Sequence, residues 1–289
     1  MPSLVAIKRR IKSAGNISQI TKAMEMVSAS KMKKAQDAAT SARPFSEKLE
    51  SIIENISSTG SSAMHPLMRQ VDNPKNAMVI VVSTNKGLCG GLNVNLFRRI
   101  SDWSREESKH VKLKVVHVHK KARTTITGKQ DVELAARFDD LGEKVAFEES
   151  RSISKLAIQT FTDGEVDEVY IAYPKFISTL QNDPTLKRIL PISTDSEVRV
   201  TSSNEYTFEP SPAGLLAELV PYQVEMSIFQ ILTEASASEH SARMVAMKSA
   251  SDNANELIEN LTLDYNQARQ SAVTTELLDA TTARMALSD

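Results

Sequence analysis

The longest part of the chain without glycine or proline is YQVEMSIFQILTEASASEHSARMVAMKSASDNANELIENLTLDYNQARQSAVTTELLDATTARMALSD, residues 222–289. As one helix these 68 residues would extend for roughly 100 Å at about 1.5 Å per residue. One compact domain cannot bury the apolar stripe of such a helix, so we expect a shaft that needs partners along its length. Pro210, Pro212, Gly214 and Pro221 mark its start, because prolines belong to loops and first turns.

Apolar residues in this stretch recur at alternating steps of four and three, the register of a coiled coil. The predicted seam is apolar at both ends and polar between Thr233 and Arg243. Two interpretations of the polar part stay open: Leu232 and Ala235 replace it in the seam, or a third surface meets it. The seam runs through Leu215, Leu219, Tyr222, Met226, Phe229, Thr233, Ser236, His240, Arg243, Met247, Ala250, Ala254, Leu257, Leu261, Asp264 and Ala268 to Met285.

A second long helix is predicted over residues 3–58. Gly15 weakens it and Pro44 should bend it. Small polar residues and Gly60 end it. Its predicted seam contains Leu4, Ile7, Ile11, Ala14, Ile17, Ile20, Met24 and Val27, and the pattern resumes from Met32 to Ile56.

The two terminal stretches carry opposite charge. Residues 1–34 contain eight Lys or Arg against Glu25, a net charge of +7, whereas residues 251–289 contain seven acids against Arg269 and Arg284, a net charge of −5. We therefore expect the two helices to pair antiparallel. The basic run suits a solvated face or an acidic protein partner better than nucleic acid, because it lacks interleaved aromatics.

Between the helices the hydrophobic period changes from that of helices to that of strands. Ala77–Ser83 is a continuous apolar run, typical of a strand buried on both faces. Strands alternating with helices predict a Rossmann-like α/β domain, so the predicted domains are 1–60, 76–195 and 210–289. Further strands are predicted at 111–119, 166–173, 176–180 and 186–191, and helices at 94–109 and 143–161.

Composition limits the function classes. The 289 residues have a net charge of −1, which favours neither nucleic acid nor acidic lipid. Cys89 is the one cysteine, so no disulfide framework forms within the chain. The longest apolar run, Ala77–Val82, is far shorter than the about 20 residues that span a bilayer, so we expect membrane association only through partners.

Motifs for catalysis are largely missing. The turn Gly87-x-x-Gly90-Gly91 stands between a strand and a helix, the setting of a phosphate loop, but it lacks the G-x-G-x-x-G and G-K-[ST] patterns. A plain tight turn is favoured, with Lys86 and Cys89 as residues that could approach an anion. His117 and His119 stand at i, i+2, on one strand face, without nearby further ligands. We expect no catalytic site, cofactor or metal within the chain.

Three stretches resemble the gamma subunits of bacterial F-type ATP synthases, a similarity that covers both ends and the middle of the chain. They are Ile20–Met32 (ITKAMEMVSASKM), Gly87–Asn93 (GLCGGLN), and Arg243–Ala254 (RMVAMKSASDNA) continuing to Tyr265–Gln270 (YNQARQ).

The resemblance implies a central-stalk rotor that is not catalytic by itself. In that family the end helices form an antiparallel coil inside a ring of three alpha and three beta subunits. The central domain sits on the membrane ring of c subunits and binds epsilon, at the cytoplasmic side of the cell membrane. A static coiled-coil scaffold with an α/β head is the alternative.

Five residues match family positions that meet the catalytic ring. Met24 matches a position near the acidic levers of beta, and Arg243, Arg269, Gln270 and Thr274 match positions that meet ring loops. One departure concerns the C-terminal signature, in which Thr281-Thr282-Ala283 replaces the family's glycine-alanine pair.

Overall fold

The computed structural model describes residues 3–57, 65–106, 112–124, 132–139, 141–142, 145–192, 209 and 211–286. It divides into two compact units: residues 1–28 with 244–289, here the helix-pair unit, and residues 29–243, here the sheet unit. The elements are α1 (Leu4–Ile56), β1 (Asn76–Val82), α2 (Leu92–Glu106), β2 (Lys112–Val118), β3 (Val132–Phe138), α3 (Phe147–Thr162), β4 (Glu168–Phe176), β5 (Asn182–Leu190) and α4 (Pro212–Ala286).

The sheet unit is built on five strands in the order β3-β2-β1-β4-β5. The first four strands are parallel, and β5 pairs antiparallel with β4. The central strand β1 is buried from Ala77 to Val82, because helices and connecting segments cover both of its faces. The predicted fold class, an α/β sheet between long terminal helices, is confirmed.

Three predictions at the edges of the sheet were wrong. Strand β3 was missed, because its sequence VELAARF has mostly exposed side chains and lacks a clear alternation. The strand predicted at 176–180 is instead the end of β4 and a turn in which the amides of Ile177 and Ser178 donate to Gln181 O. Strand β5 starts at Asn182 and contains Pro184, which an edge strand tolerates.

Helix α4 begins at Pro212, within the stretch that Pro210, Pro212 and Gly214 were predicted to mark. The Ser211 hydroxyl accepts a hydrogen bond from the amide of Gly214 at 3.1 Å, which caps the helix, and Pro212 occupies the first turn. Pro221, predicted to mark the helix entry, lies inside it. An interior proline costs about 3 kcal/mol. The neighbouring Val220 and Val224 are fully buried, so packing against the sheet unit outweighs this local cost.

Nearly every side of α4 is buried between Ile231 and Arg243. Leu232 and Ala235 are buried, as the shifted-seam interpretation required, but so are Thr233, His240 and Arg243 of the original seam. The third surface is the sheet unit itself, whose core includes α1 residues Leu49, Ile53 and Ile56 together with α4. Rings of Phe45, Phe147, Tyr222 and Phe229 also pack edge-on, with centroids 5.6 to 6.1 Å apart, across α1, α3 and α4.

In the helix-pair unit the seam of α1 begins with Ile7 and Ala14, as predicted, and continues with small polar residues in place of the predicted isoleucines. Ile7, Ala14, Thr21 and Ser28 of α1 are buried, one every seven residues. The Ser18 hydroxyl donates to Asn255 Oδ1 at 2.7 Å and lies 3.4 Å from Ser251 Oγ. On α4 the buried positions are Met247, Ser251, Ala254 and Leu261.

The predicted seam of α1 is right at Ile7 and Ala14 but one position early from Ile17 onward, and that of α4 is right at Met247, Ala254 and Leu261 but one position early between them. Ile17 and Ile20 are 52% and 60% exposed, and Leu257 is 44% exposed. Small side chains let the two backbones approach closely, and the hydroxyl hydrogen bonds satisfy the polar atoms that this approach buries. Lys22 of the basic stretch pairs with Glu25 on its own helix at 3.0 Å and not with an acid of the other stretch.

The paired part of α4 ends near Ala268. Because the helices are antiparallel and Ser18 contacts Ser251 and Asn255, the first turn of α1 lies opposite residues 265–269 of α4. Ala268 is half-buried, and every side chain from Arg269 to Met285 is exposed. None of the described helices is long and apolar enough to cross a membrane.

Candidate partner-contact site

The turn between β1 and α2 is held rigid by its own polar side chains. The Thr84 hydroxyl donates to Lys86 O at 2.8 Å and accepts from Asn93 Nδ2 at 2.8 Å. Leu88 and Gly90 have positive φ angles of 62° and 59°. Only glycine takes such a conformation without strain, so the exposed Leu88 is held there by the surrounding hydrogen bonds.

Arg243 joins this turn to α4. Its Nε donates to Gly87 O and its Nη2 to Lys86 O, each at 3.3 Å, across 156 and 157 residues of sequence. Nη2 also pairs with Glu239 Oε1 at 2.5 Å. Nη1 lies 3.3 Å from His240 Nδ1, which must be the acceptor because a guanidinium only donates. We call Glu239, His240, Arg243 and these two carbonyl groups the Arg243 cluster.

The Arg243 cluster is buried, so its ion pair is strong and its loss costly. Arg243 is 7% exposed as a residue, and the Glu239 side chain is 15% exposed. Bringing two charges out of water is unfavourable unless both are fully paired, as they are here. The Gly87 turn has the setting of a phosphate loop in the sequence. In the structure it presents carbonyl oxygens to the guanidinium of Arg243. Burial also raises the pKa of the Cys89 thiol, which keeps it protonated.

Helix α4 fills the crevice at the carboxyl ends of β1 and β2, where doubly wound folds usually bind ligands. Ala235, Ser236 and Glu239 of α4 face Ser83 and His119 across a cavity of about 20 Å³. That volume is sufficient for one water molecule but not for a nucleotide.

The two histidines lie on opposite faces of the sheet, contrary to the sequence prediction. Val116 and Val118 belong to the core under α4, so His117 between them points the other way. Strand β2 ends at Val118, and His119 has a φ of 66°. His119 then lines the cavity beside Ala235. In the part of the chain that the structure describes, no three His, Cys, Asp or Glu side chains could hold a metal ion.

The other predicted contact residues lie in the helix-pair unit. Met24 is half-buried in α1, whereas Arg269, Gln270 and Thr274 are exposed. The Thr274 hydroxyl donates to Gln270 O at 2.9 Å, within the helix. The antiparallel pairing sets Met24 about 20 residues from Arg269 along α4, roughly 30 Å. The structure therefore does not bring these residues into one site; they form two separate bands.

A comparison with known proteins identifies the family. The family model described as ATP synthase matches residues 3–287. The gamma chain of the ATP synthase of Pelotomaculum thermopropionicum is 40% identical over 277 residues, 96% of both chains. That of Dehalococcoides mccartyi is 41% identical over 281 residues, 96% of this chain and 97% of the relative. This chain belongs to the ATP synthase gamma-chain family.

Chains of solved ATP synthase structures have a fold similar to that of this chain. A chain of the Euglena gracilis mitochondrial ATP synthase (OSCP, F1 and c-ring, rotational state 3) superposes with a TM-score of 0.70 at 17% identity, covering 98% of this chain and 94% of that one. A chain of the Tetrahymena thermophila central stalk and c-ring gives 0.60 at 22% identity, covering 80% and 99%.

Sequence reasoning singled out Arg243 but missed its two helical partners. Glu239 and Arg243 are four residues apart, the spacing at which opposite charges meet on one helix face. That signal was present in the sequence. The contact of Arg243 with Lys86 O and Gly87 O leaves no such signal in the sequence, because it joins backbone atoms to a side chain more than 150 residues away.

Removing the cation of the Arg243 cluster should destabilise the chain strongly. Arg243→Met removes the cation from a mostly buried carboxylate and two carbonyl groups, so we expect a loss of about 3 kcal/mol in urea-induced unfolding. Adding Glu239→Gln should restore more than about 1 kcal/mol of it. Arg105→Met removes an arginine from the exposed pair with Asp102 and should cost under about 0.5 kcal/mol. Equal losses in both arginine variants would contradict the assignment.

The stability of the chain should depend on the protonation of His119. Burial lowers its pKa from 6.5 to about 4, so between these values the unfolded chain binds the proton and the folded chain does not. Stability should therefore fall as pH drops from about 6.5 to about 4, by up to about 3 kcal/mol from this residue. His119→Asn, which tolerates a positive φ, should flatten the curve of unfolding free energy against pH. Parallel curves for the two proteins would refute this.

Proposed function

We propose that this chain is the rotating central-stalk subunit of a proton-translocating F-type ATP synthase. It would couple proton flow through a ring of c subunits to ATP synthesis in a ring of three alpha and three beta subunits, and regulate ATP hydrolysis there. The observation that carries the proposal is about 40% identity to gamma chains over 96% of the sequence, together with the unpaired end of α4.

The unpaired end of α4 suits an apolar sleeve. Val273, Leu277, Leu278 and Met285 are all more than half exposed and do not keep to one stripe. A helix that is apolar on several sides needs cover on several sides. Apolar contacts are not directional, so a sleeve of alpha and beta subunits can hold this end while it turns.

The proposed contacts with the alpha and beta subunits are Met24, Arg243, Arg269, Gln270 and Thr274. Arg269, Gln270 and Thr274 have exposed side chains that are free to meet loops of the ring. Arg243 is engaged within the chain, so its proposed contribution passes through the Gly87 turn that it holds. Met24 lies in the basic stretch, which includes the exposed Lys22. The positive charge of this stretch suits the acidic levers of beta.

Other partners and the location follow from the same family. We propose that epsilon and the c ring bind the sheet unit, and that the chain is peripheral at the cytoplasmic side of the cell membrane. In this proposal residues 1–60 and 210–289 form the coil, and residues 76–195 form the head. The basic stretch would serve protein contacts and not nucleic acid.

Co-purification tests the assignment against a static scaffold. The tagged full chain, expressed with the alpha, beta and epsilon subunits of its own organism, should form one complex with three alpha, three beta and one epsilon per chain by native mass spectrometry. Recovery without these subunits would favour the scaffold.

The chain should have no ATPase activity of its own. Helix α4 fills the crevice of the sheet, and the sequence lacks a phosphate-loop lysine. We expect no turnover above the uncatalysed rate when the purified chain is freed of alpha and beta. Hydrolysis that co-elutes with the purified chain would overturn this prediction.

Met24→Lys should impair energy coupling more than assembly. The substitution adds a cation to a stretch that already carries +7, opposite the proposed acidic levers. The new ion pair would have to break at each rotational step. We expect proton pumping per ATP hydrolysed to fall several-fold in membrane vesicles, with Met24→Leu as the matched control. Unchanged coupling in Met24→Lys would count against the contact.

Two truncations should separate the roles of the free end. Deletion from Arg284 removes only the last exposed turn and should weaken assembly modestly. Deletion after Ala268 removes Arg269, Gln270 and Thr274 and the apolar end, so both complex stability and coupling should drop. Yields and coupling ratios that are equal for the two deletions would show that the end makes no contact of consequence.

A further inference from the structure

The turn between β4 and β5, residues 177–181, is tied to α4 by a hydrogen bond that none of the proposed partner contacts includes. The hydroxyl of Ser241 donates to Thr179 O at 2.7 Å, across 62 residues of sequence. Ser241 is completely buried. A buried polar group that loses its partner is costly, so this bond fixes the tip of an exposed turn to one residue of the helix.

Hydrogen bonds inside the turn make it one ordered unit. The amides of Ile177 and Ser178 donate to Gln181 O at 3.2 and 3.0 Å. The hydroxyl oxygen of Ser178 accepts from the amide of Gln181 at 3.1 Å, as serine side chains commonly do in turns. The carbonyl of Thr179 accepts its bond from Ser241, outside the turn. Ser241 therefore sets where the whole turn lies relative to α4.

The turn presents two apolar side chains to solvent. Leu180 is 82% exposed and Ile177 is 50% exposed. Glycine, proline and small polar residues are the usual residues of turns, because they favour tight backbone conformations. Apolar side chains on a turn that is already fixed in place lose little conformational freedom when they bind, which favours association. The turn is therefore suited to contact a partner.

The position of the turn indicates which partner it faces. Strands β1 and β4 are parallel neighbours, so their carboxyl ends lie at the same edge of the sheet. The Gly87 turn follows β1 and the turn 177–181 follows β4, and α4 holds them through Arg243 and Ser241, two residues apart. Arg243 matches a family position that meets loops of the alpha and beta ring. A ring loop that reaches this level of α4 comes to the edge of the sheet where Leu180 is exposed.

We propose that Ser241 is a positioning residue that holds Leu180 against a loop of the alpha and beta ring. The inference rests on the rotor function proposed above and adds a contact outside the five family positions. The ring loop supplies an apolar side chain that covers Leu180. Apolar contacts are not directional, so this contact can form and break as the chain turns.

Ser238 gives a matched control on the same face of α4. It lies three residues before Ser241 and is also completely buried. Its hydroxyl has no hydrogen-bond partner in the described structure. Ser238→Ala and Ser241→Ala therefore remove the same group from equally buried positions, and only the second removes a bond to the turn.

Release of the full-length chain from the alpha and beta ring tests the proposal through a double-mutant cycle. Leu180→Ser should raise the release rate constant at least about threefold, because it removes apolar contact. Ser241→Ala should raise it at least about twofold, because the turn loses its fixed position. The double variant should be released no faster than Leu180→Ser alone, since Ser241 acts through Leu180. Ser238→Ala and Leu134→Ser, which changes an exposed leucine of β3, should leave the rate constant unchanged.

Cross-linking from the turn identifies the partner. The Leu180→Cys chain is labelled with a benzophenone maleimide before it is assembled with alpha, beta and epsilon. The buried Cys89, whose thiol pKa is raised, stays unmodified. Illumination of the assembled complex should attach the label to an alpha or beta subunit.

Three results would overturn the proposal. Equal acceleration of release by Ser241→Ala with and without Leu180→Ser would mean a purely structural role for the serine. Capture of epsilon by the label, instead of alpha or beta, would assign the turn to another partner. Release of Leu180→Ser at the unaltered rate from a complex with three alpha and three beta subunits would remove this contact and leave the rotor function in place. Failure of the unaltered chain to assemble with these subunits would instead overturn the proposed function, and this contact with it.

Discussion

Burial of α4 is the constraint on which the structure depends, because 75 residues of helix present more apolar surface than one domain can cover. Successive segments of α4 differ in what covers them. Up to Arg243 the sheet unit surrounds α4, and polar residues such as Thr233, Ser241 and Arg243 are buried with hydrogen-bond partners. From Met244 to Ala268 one stripe packs on α1. Beyond Ala268 the side chains of α4 up to Met285 are exposed, among them leucines and a valine.

The Arg243 cluster stands at the end of the first of these segments. A buried guanidinium that binds two carbonyl oxygens and a carboxylate fixes the Gly87 turn to one position of α4. The hydroxyl of Ser241 adds a hydrogen bond to Thr179 O at 2.7 Å, in the turn between β4 and β5. Directional bonds of this kind resist sliding of the sheet along the helix, which apolar packing alone does not. A head that must turn together with its shaft needs such bonds.

Periodicity found the long helices but not the side of each helix that faces its neighbour. In α1 the stripes through Ile17 and Ser18 have the same spacing, and hydrophobicity favoured the wrong one, because hydrogen-bonded serines and close backbones stabilise the pair. Strand β1 was predictable because it is buried on both faces, whereas β3 was not, since its edge position leaves it polar. Arg243 was singled out by resemblance and by its position at the end of the polar part of the predicted seam. Its partners across the fold follow from tertiary packing, and no local signal encodes them.

Rotation of the chain against its proposed ring is the central claim. Its most direct test is a single-molecule assay in which the complex with alpha and beta is immobilised and a bead is attached to α2 through Glu106→Cys. Native Cys89 is buried with a raised pKa, so labelling should be selective for the new thiol. The account predicts stepwise rotation of the bead in one direction when ATP is added. A stationary bead on complexes that hydrolyse ATP would contradict it.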